Sequence, residues 1–230
     1  MDWIVSMNKN KDGKTVINLT YYTAVMNSSG KKINISNFMN NQKKEFENVF
    51  GQGNVNAKMI IREVGSADQL NDFESLIDIQ AGSKFPKAED GSTEGGDAAY
   101  GGKFLRLNAD VFESDGSLRD KKVAIHEIGH TGGLVHTFDN SKSNVYANGK
   151  TVPTEMQTSY NSANDPYYEA NFMNYTKNAA QSGSLPPNIE PIRFFNNTVG
   201  KARQGQMQAI INNLYNGNLN FNNIPGRKKR

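Results

Sequence analysis

His126-Glu127-Ile128-Gly129-His130-Thr131-Gly132-Gly133-Leu134-Val135-His136 holds all 3 histidines of a chain of 230 residues. Concentrating the whole imidazole supply in one short stretch points to a metal ion, because neutral imidazole is the commonest metal ligand among side chains. On a helix, His126 and His130 lie about one turn apart on the same face, so both rings reach one ion. Glu127 is rotated away from that pair, placed to hold a water rather than to ligate. Gly132 and Gly133 then let the backbone take φ > 0 and leave the helix sharply, which brings His136 back as the third ligand. Three neutral imidazoles leave the fourth tetrahedral position to water, the arrangement of a catalytic zinc ion rather than of a closed structural site. Such an ion lowers the pKa of its water toward ~7, and Glu127 would accept the proton as that water attacks a carbonyl. The chemistry this predicts is hydrolysis. A zinc scaffold without hydrolysis fits poorly, since Glu127 has no structural duty in a three-histidine site.

The stretch from His126 to His136 resembles the long zinc-binding consensus of the metzincin clan of metallopeptidases, HExxHxxGxxH. The resemblance implies one catalytic zinc, an endopeptidase activity, and a downstream Met-turn whose methionine forms an apolar floor beneath the metal. Asn171-Phe172-Met173-Asn174-Tyr175 is similar to that turn, with Met173 as the floor. Tyr175 resembles the tyrosine that approaches the zinc in the astacin and serralysin branches, where it helps stabilise the oxyanion. A tyrosine there equally suits packing of the pocket wall. The clan's fold implies an α+β domain: a twisted mixed sheet with a backing helix and an active-site helix, a cleft, and a smaller C-terminal lobe. One catalytic domain over residues 1–230 is expected, with an N-terminal lobe over 1–133 and a C-terminal lobe over 134–230. The latter carries the third ligand, the Met-turn and a closing helix. Thr176 to Pro187, after the Met-turn, is the expected specificity wall.

The rest of the chain is read by periodicity. Thr15 to Met26 alternates as a first strand, with Val16, Ile17, Leu19, Tyr21 and Val25. Ser36 is expected to cap a helix running to about Phe50, with Phe38, Met39, Gln42, Phe46 and Val49 at helical spacing. Ala57 to Val64 and Ser75 to Gln80 follow as strands, which predicts a twisted sheet with one helix packed on it. Gly82 to Gly96 lacks periodicity and reads as a surface loop. Loops of this kind in metzincins sometimes hold structural calcium, for which Asp90, Glu94 and Asp97 offer hard oxygen ligands. Lys103 to Asn108 is a strand with Ala98 to Gly102 as a neighbouring edge, able to pair with an extended peptide or protein substrate. Ser117 is expected to cap the zinc-binding helix, which turns Val123, Ile125 and Ile128 inward. Residues 137–166 and 183–187 read as loop, and Thr198 to Tyr215 as an amphipathic closing helix.

Composition sets the remaining bounds. A formal net charge of +3 and 21% charged residues describe an ordinary polar surface, with nothing that calls for nucleic acid. Arg227-Lys228-Lys229-Arg230 reads as a solvated tail. No apolar run is long enough to span a membrane. With 0 cysteines the chain has no disulfide and no thiolate zinc ligand, and the cysteine-switch latency of some metzincins is excluded. The start of the sequence lacks the pattern of a signal peptide, so the chain reads as cytosolic, as a mature form after processing, or as a domain excised from something longer; of these a secreted mature or excised domain is expected, monomeric by preference. The same feature supports an alternative role, an effector or toxin domain released from a larger polypeptide to cut or bind one partner.

Overall fold

The computed structural model describes residues 1–87, 93–136, 144–152, 172–173, 202, 204–225 and 227. β2 (Thr15–Asn27) organises the sheet because its 13 residues are enough to serve neighbours on both sides. β3 (Val55–Glu63) runs parallel along one side, from Ile17 opposite Val55 to Val25 opposite Glu63. The other side is shared in tandem. β1 (Trp3–Lys9) is antiparallel to the first half, with Trp3 opposite Tyr21, and β4 (Ser75–Gln80) is parallel to the end, with Thr23 opposite Ser75. β6 (Phe104–Asn108) continues parallel to β4, and the short β5 (Gly96–Ala98) closes the 6-stranded mixed sheet antiparallel to β6. Parallel strands need a crossover, which between β2 and β3 is α1 (Ile35–Phe50).

Period-two alternation decides which face of the sheet is covered. Leu19, Tyr21 and Val25 of β2, Ile77 and Ile79 of β4, and Leu105 and Leu107 of β6 all enter one core with Phe38, Phe46 and Phe50 of α1. α2 (Lys122–Thr131) adds Ala124, Ile125 and Ile128 to that core, and α3 (Gln204–Tyr215) adds Met207, Ala209 and Ile210. Trp3 sits at the centre, its ring 4.7 Å from Tyr21 and 5.8 Å from Phe46 between centroids. Its indole Nε1 donates to Thr131 Oγ1 at 3.0 Å, and that hydroxyl donates to the Ile128 carbonyl at 2.8 Å. The first strand is thereby bonded to the residue that follows His130.

The fold is mixed α+β, as expected, but several local expectations are corrected. β1 is a strand that periodicity misses, because Trp3 is its one fully buried side chain. Asn34, not Ser36, caps α1: its Oδ1 accepts from the Asn37 amide at 3.0 Å, which lets the buried Ile35 join the first turn. Ser117 does not cap α2; its amide and hydroxyl both donate to Asp115 Oδ1, and the Lys122 amide instead finds Asp120 Oδ1 at 2.9 Å. The edge strand is Gly96–Ala98 rather than Ala98 to Gly102, so the 82–96 loop ends at a strand, after a 3-10 turn at Gly82–Lys84. The expected closing helix is described over Gln204–Tyr215, with Ala202 outside it, and Thr198 lies outside the described residues. Arg227 is no frayed residue: its guanidinium donates to Asp72 Oδ1 at 2.9 Å and its side chain is 9% exposed. Among the described residues, no helix is long and apolar enough to cross a membrane.

Asp2 offers a pH-dependent test of this core. It is 0% exposed, and neither carboxylate oxygen has a hydrogen-bond partner. Burial raises its pKa to about 7, against the opposing pull of Lys103. A carboxyl with a raised folded pKa stabilises the fold fully below its unfolded pKa, and that contribution is lost as pH climbs through 7. Asp2→Asn is therefore expected to raise the melting temperature at pH 8 and to change it little at pH 4, by an amount on the order of a few kcal/mol at the upper pH. Equal shifts at both pH values in thermal denaturation would refute this account.

Candidate metal centre

α2 is unusual in being buried along nearly its whole length: Ala124 through Thr131 are all inaccessible or almost so. That burial follows from its position between the sheet and the chain beyond it, and it removes His126 and His130 from bulk water. His126 and His130 stand one turn apart on this helix as the i, i+4 spacing predicts. Their Nε2 atoms are 3.1 Å apart, and His136 Nε2 is 3.1 Å from the first and 3.2 Å from the second. Three nitrogens bound tetrahedrally to one zinc at ~2.0–2.1 Å would stand ~3.3 Å from one another, so the donor triangle fits such an ion. Among the described residues this is the one group of three possible ligands.

The outer nitrogens of the helix pair are already committed. His126 Nδ1 lies 3.0 Å from the Phe172 carbonyl and His130 Nδ1 lies 2.7 Å from the Leu134 carbonyl. Each Nδ1–H therefore donates to a backbone oxygen, which leaves the Nε2 lone pair facing the centre and fixes the ring plane. Burial, then the proximity of His130 and His136, holds the His126 pKa well below the ordinary value, in the neutral form that a metal requires. Tyr100 adds an edge contact, its ring centroid 5.0 Å from that of His130.

Glu127 points elsewhere, toward the sheet edge. Its Cγ packs so close to Gly96 of β5 that a Cβ at that glycine would lie 2.9 Å away. Burial pushes its pKa well above the ordinary carboxylate value, and the charges of Asp97 and Glu94 push in the same direction. A cation at the histidine centre would oppose those effects, leaving a carboxylate that can both take and give a proton.

Two glycines shape the centre. Gly133 has φ +77°, the left-handed conformation that the turn after His130 requires. Gly129, between the two helical ligands, makes room for the residues beneath: a Cβ there would be 2.3 Å from Met173 Sδ and 2.9 Å from the Phe172 ring. Met173 is thus packed directly under the ligand helix and is fully buried, while Phe172 joins the aromatic core at 5.3 Å from Phe50. The turn itself is held from α3, where Asn213 Nδ2 donates to the carbonyls of Gly132 and Gly133, and the Tyr146 hydroxyl donates to Asn213 Oδ1 at 2.6 Å.

The structure therefore brings together His126, His130, His136, Glu127 and Met173. Tyr175 and the segment Thr176 to Pro187 lie outside the described residues, as does Asp90. Nothing among the described residues supports calcium: Asp97 is held bidentately by Arg106, with Nε 2.8 Å from Oδ1, and the group of three possible ligands found there is the histidine one. Sequence reading missed Gly96, Tyr100, Gly129, Tyr146 and Asn213. For Gly129 the signal was present, since a glycine between two helical ligands costs helix stability and must have a packing reason.

No family model matches this chain, and no curated protein matches it. Among solved structures it is similar to archaemetzincin from Methanopyrus kandleri, at 13% identity and a TM-score of 0.45, over 84% of this chain and 96% of that one. It is also similar to archaemetzincin from Archaeoglobus fulgidus complexed with malonate, at 20% identity and a TM-score of 0.32, over 52% of this chain and 82% of that one.

Proposed function

We propose that this chain is a zinc-dependent endopeptidase. The observation that carries the reading is the convergence of the three Nε2 atoms at 3.1–3.2 Å with the buried Glu127 next in sequence to the first of them. A zinc ion held by His126, His130 and His136 would supply Lewis-acid activation of a water and of the scissile carbonyl. Glu127 takes the proton from the attacking water and passes it to the leaving amine, a double duty that suits a carboxyl whose burial raises its pKa. Met173 packs beneath the ligand helix as the floor of a Met-turn. The Tyr175 hydroxyl donates to the oxygen that gains charge as the carbonyl is attacked.

The substrate binds extended, along β5. That strand ends the sheet in the order of pairing and lies over Glu127 through Gly96. A peptide added there would run past the carboxylate and the histidine centre, with main-chain hydrogen bonds supplying affinity irrespective of sequence. Thr176 to Pro187 would then wall the pocket for the residue after the cut.

A mixed peptide library incubated with the protein tests this directly. Cleavage is expected with zinc, loss of it with a chelator, and recovery on adding zinc back. Cleavage indifferent to the chelator would exclude the metal mechanism, and a zinc-loaded protein that cuts nothing in the library would exclude the endopeptidase.

A further inference from the structure

The closing helix reaches the metal centre through one buried amide. Asn213 of α3 is 1% exposed, and both ends of its side chain are in use. Its Nδ2 donates to the carbonyls of Gly132 at 3.3 Å and Gly133 at 3.4 Å, and its Oδ1 accepts from the Tyr146 hydroxyl at 2.6 Å. Those two carbonyls belong to the turn between the second and third histidines. A helix that ends in the interior leaves carbonyls unpaired, and burying them without a donor is costly. Asn213 supplies that donor.

The fit is close enough to constrain the sequence on both sides. A Cβ on Gly133 would lie 2.4 Å from Asn213 Nδ2, so glycine is needed there for the room it leaves as well as for its φ of +77°. The segment that follows is held by the same group of residues. The Leu134 amide donates to the Gly129 carbonyl at 3.0 Å, the Leu134 carbonyl receives His130 Nδ1–H, and Val135 packs with Tyr146 and Val152 in a small core of its own. Tyr146 thus packs against the outgoing strand of chain with its ring and orients Asn213 with its hydroxyl.

We infer that Asn213 is a positioning residue for the metal centre: oriented by Tyr146, it clamps the Gly132–Gly133 turn so that His136 meets His126 and His130. The inference rests on the metal-site reading above. The carboxylate of Asn213→Asp has the same shape and still accepts from Tyr146, but the oxygen that replaces Nδ2 faces two carbonyls and donates to neither. The penalty therefore falls on the turn rather than on packing.

The test is zinc affinity, measured on the full chain by competition with a chromophoric chelator, alongside thermal denaturation without metal. Asn213→Asp is expected to weaken zinc binding by ~10- to 100-fold, the range for losing a group that orients a metal ligand. Tyr146→Phe, which deletes one hydrogen bond and keeps the ring, is expected to weaken it by roughly threefold to tenfold. Ile211→Ala, at a buried position on the same helix, should lower the melting temperature and leave the zinc constant unchanged. Unchanged affinity in both Asn213→Asp and Tyr146→Phe overturns the inference, and so does an equal loss in Ile211→Ala, which would mean general destabilisation. If Asn213→Asp does not fold, Tyr146→Phe decides the matter. Wild-type protein that binds no zinc overturns the metal reading itself, an outcome separate from tight wild-type binding that the variants fail to weaken.

Discussion

Glu127→Gln is expected to lower the turnover of a peptide substrate by ~10²- to 10⁴-fold, the usual worth of a positioned acid–base group, while zinc remains bound. The substitution isolates proton transfer because glutamine has the same length and shape. It can still fill the space beneath Gly96, whose missing Cβ leaves room for the Glu127 Cγ. The side chain is 6% exposed, so a shortened residue would leave a hole and confuse a packing loss with a catalytic one. Removing a buried carboxyl that burial and the charges of Asp97 and Glu94 penalise should also leave the metal-free fold as stable or more so. The expected signature is therefore activity lost, zinc retained and melting temperature held or raised. Steady-state kinetics, metal analysis and calorimetry on one preparation read all three. Turnover within a factor of a few of wild type would remove Glu127 from the chemistry.

The centre was legible in the sequence and much of its support was not, for a definite reason. His126, His130 and Glu127 were placed by local geometry alone, because the helical repeat sets which residues share a face. Gly133 was legible in the same way, since a left-handed turn after a helix has few other solutions. Ser75–Gln80 is legible to the residue, because a central parallel strand is covered on both faces and reads as a short run around Leu76, Ile77 and Ile79 bounded by polar chain. The misses are of two kinds. Ser36 and Ser117 are good cap formers, but Asn34 caps α1 and the first amide of α2 goes to Asp120, which stands just before the N-cap Lys121, a competition settled by which register buries Ile35 or lets α2 start at Lys122. β1 was missed although Asp12-Gly13 announced the hairpin, with Gly13 at φ +73° and Asn10 Oδ1 accepting from the amides of Asp12 and Lys14. Asn213, Tyr146 and Tyr100 are the other kind. Their partners lie far away along the chain, and no local pattern distinguishes an asparagine that clamps a turn from one that faces solvent.

His136→Ala is expected to abolish the zinc-linked stability of the protein while sparing most of its metal-free stability. Anything that binds the native state alone stabilises it by mass action, by ~2.7 kcal/mol at 100 times the dissociation constant and ~4.1 kcal/mol at 1,000 times. In a chain of this size ~1 kcal/mol corresponds to roughly 2–4 °C, so saturating zinc should raise the wild-type melting temperature by about 5–15 °C. The three histidines differ in how they are held. His126 and His130 are buried and donate through Nδ1 to the carbonyls of Phe172 and Leu134, so replacing either disturbs the core as well as the metal. His136 is only half-buried, so its replacement takes less apolar and polar contact out of the interior. His126→Ala should therefore melt lower than wild type even without metal, whereas His136→Ala should melt near the metal-free wild type and gain little from zinc. Two helical imidazoles alone cannot complete a three-nitrogen site, which makes the flat zinc response of His136→Ala the sharper of the two results. If His136→Ala kept the full zinc-induced rise in differential scanning calorimetry, the third ligand would have to be another residue, and the role assigned to the Gly132–Gly133 turn would fall with it.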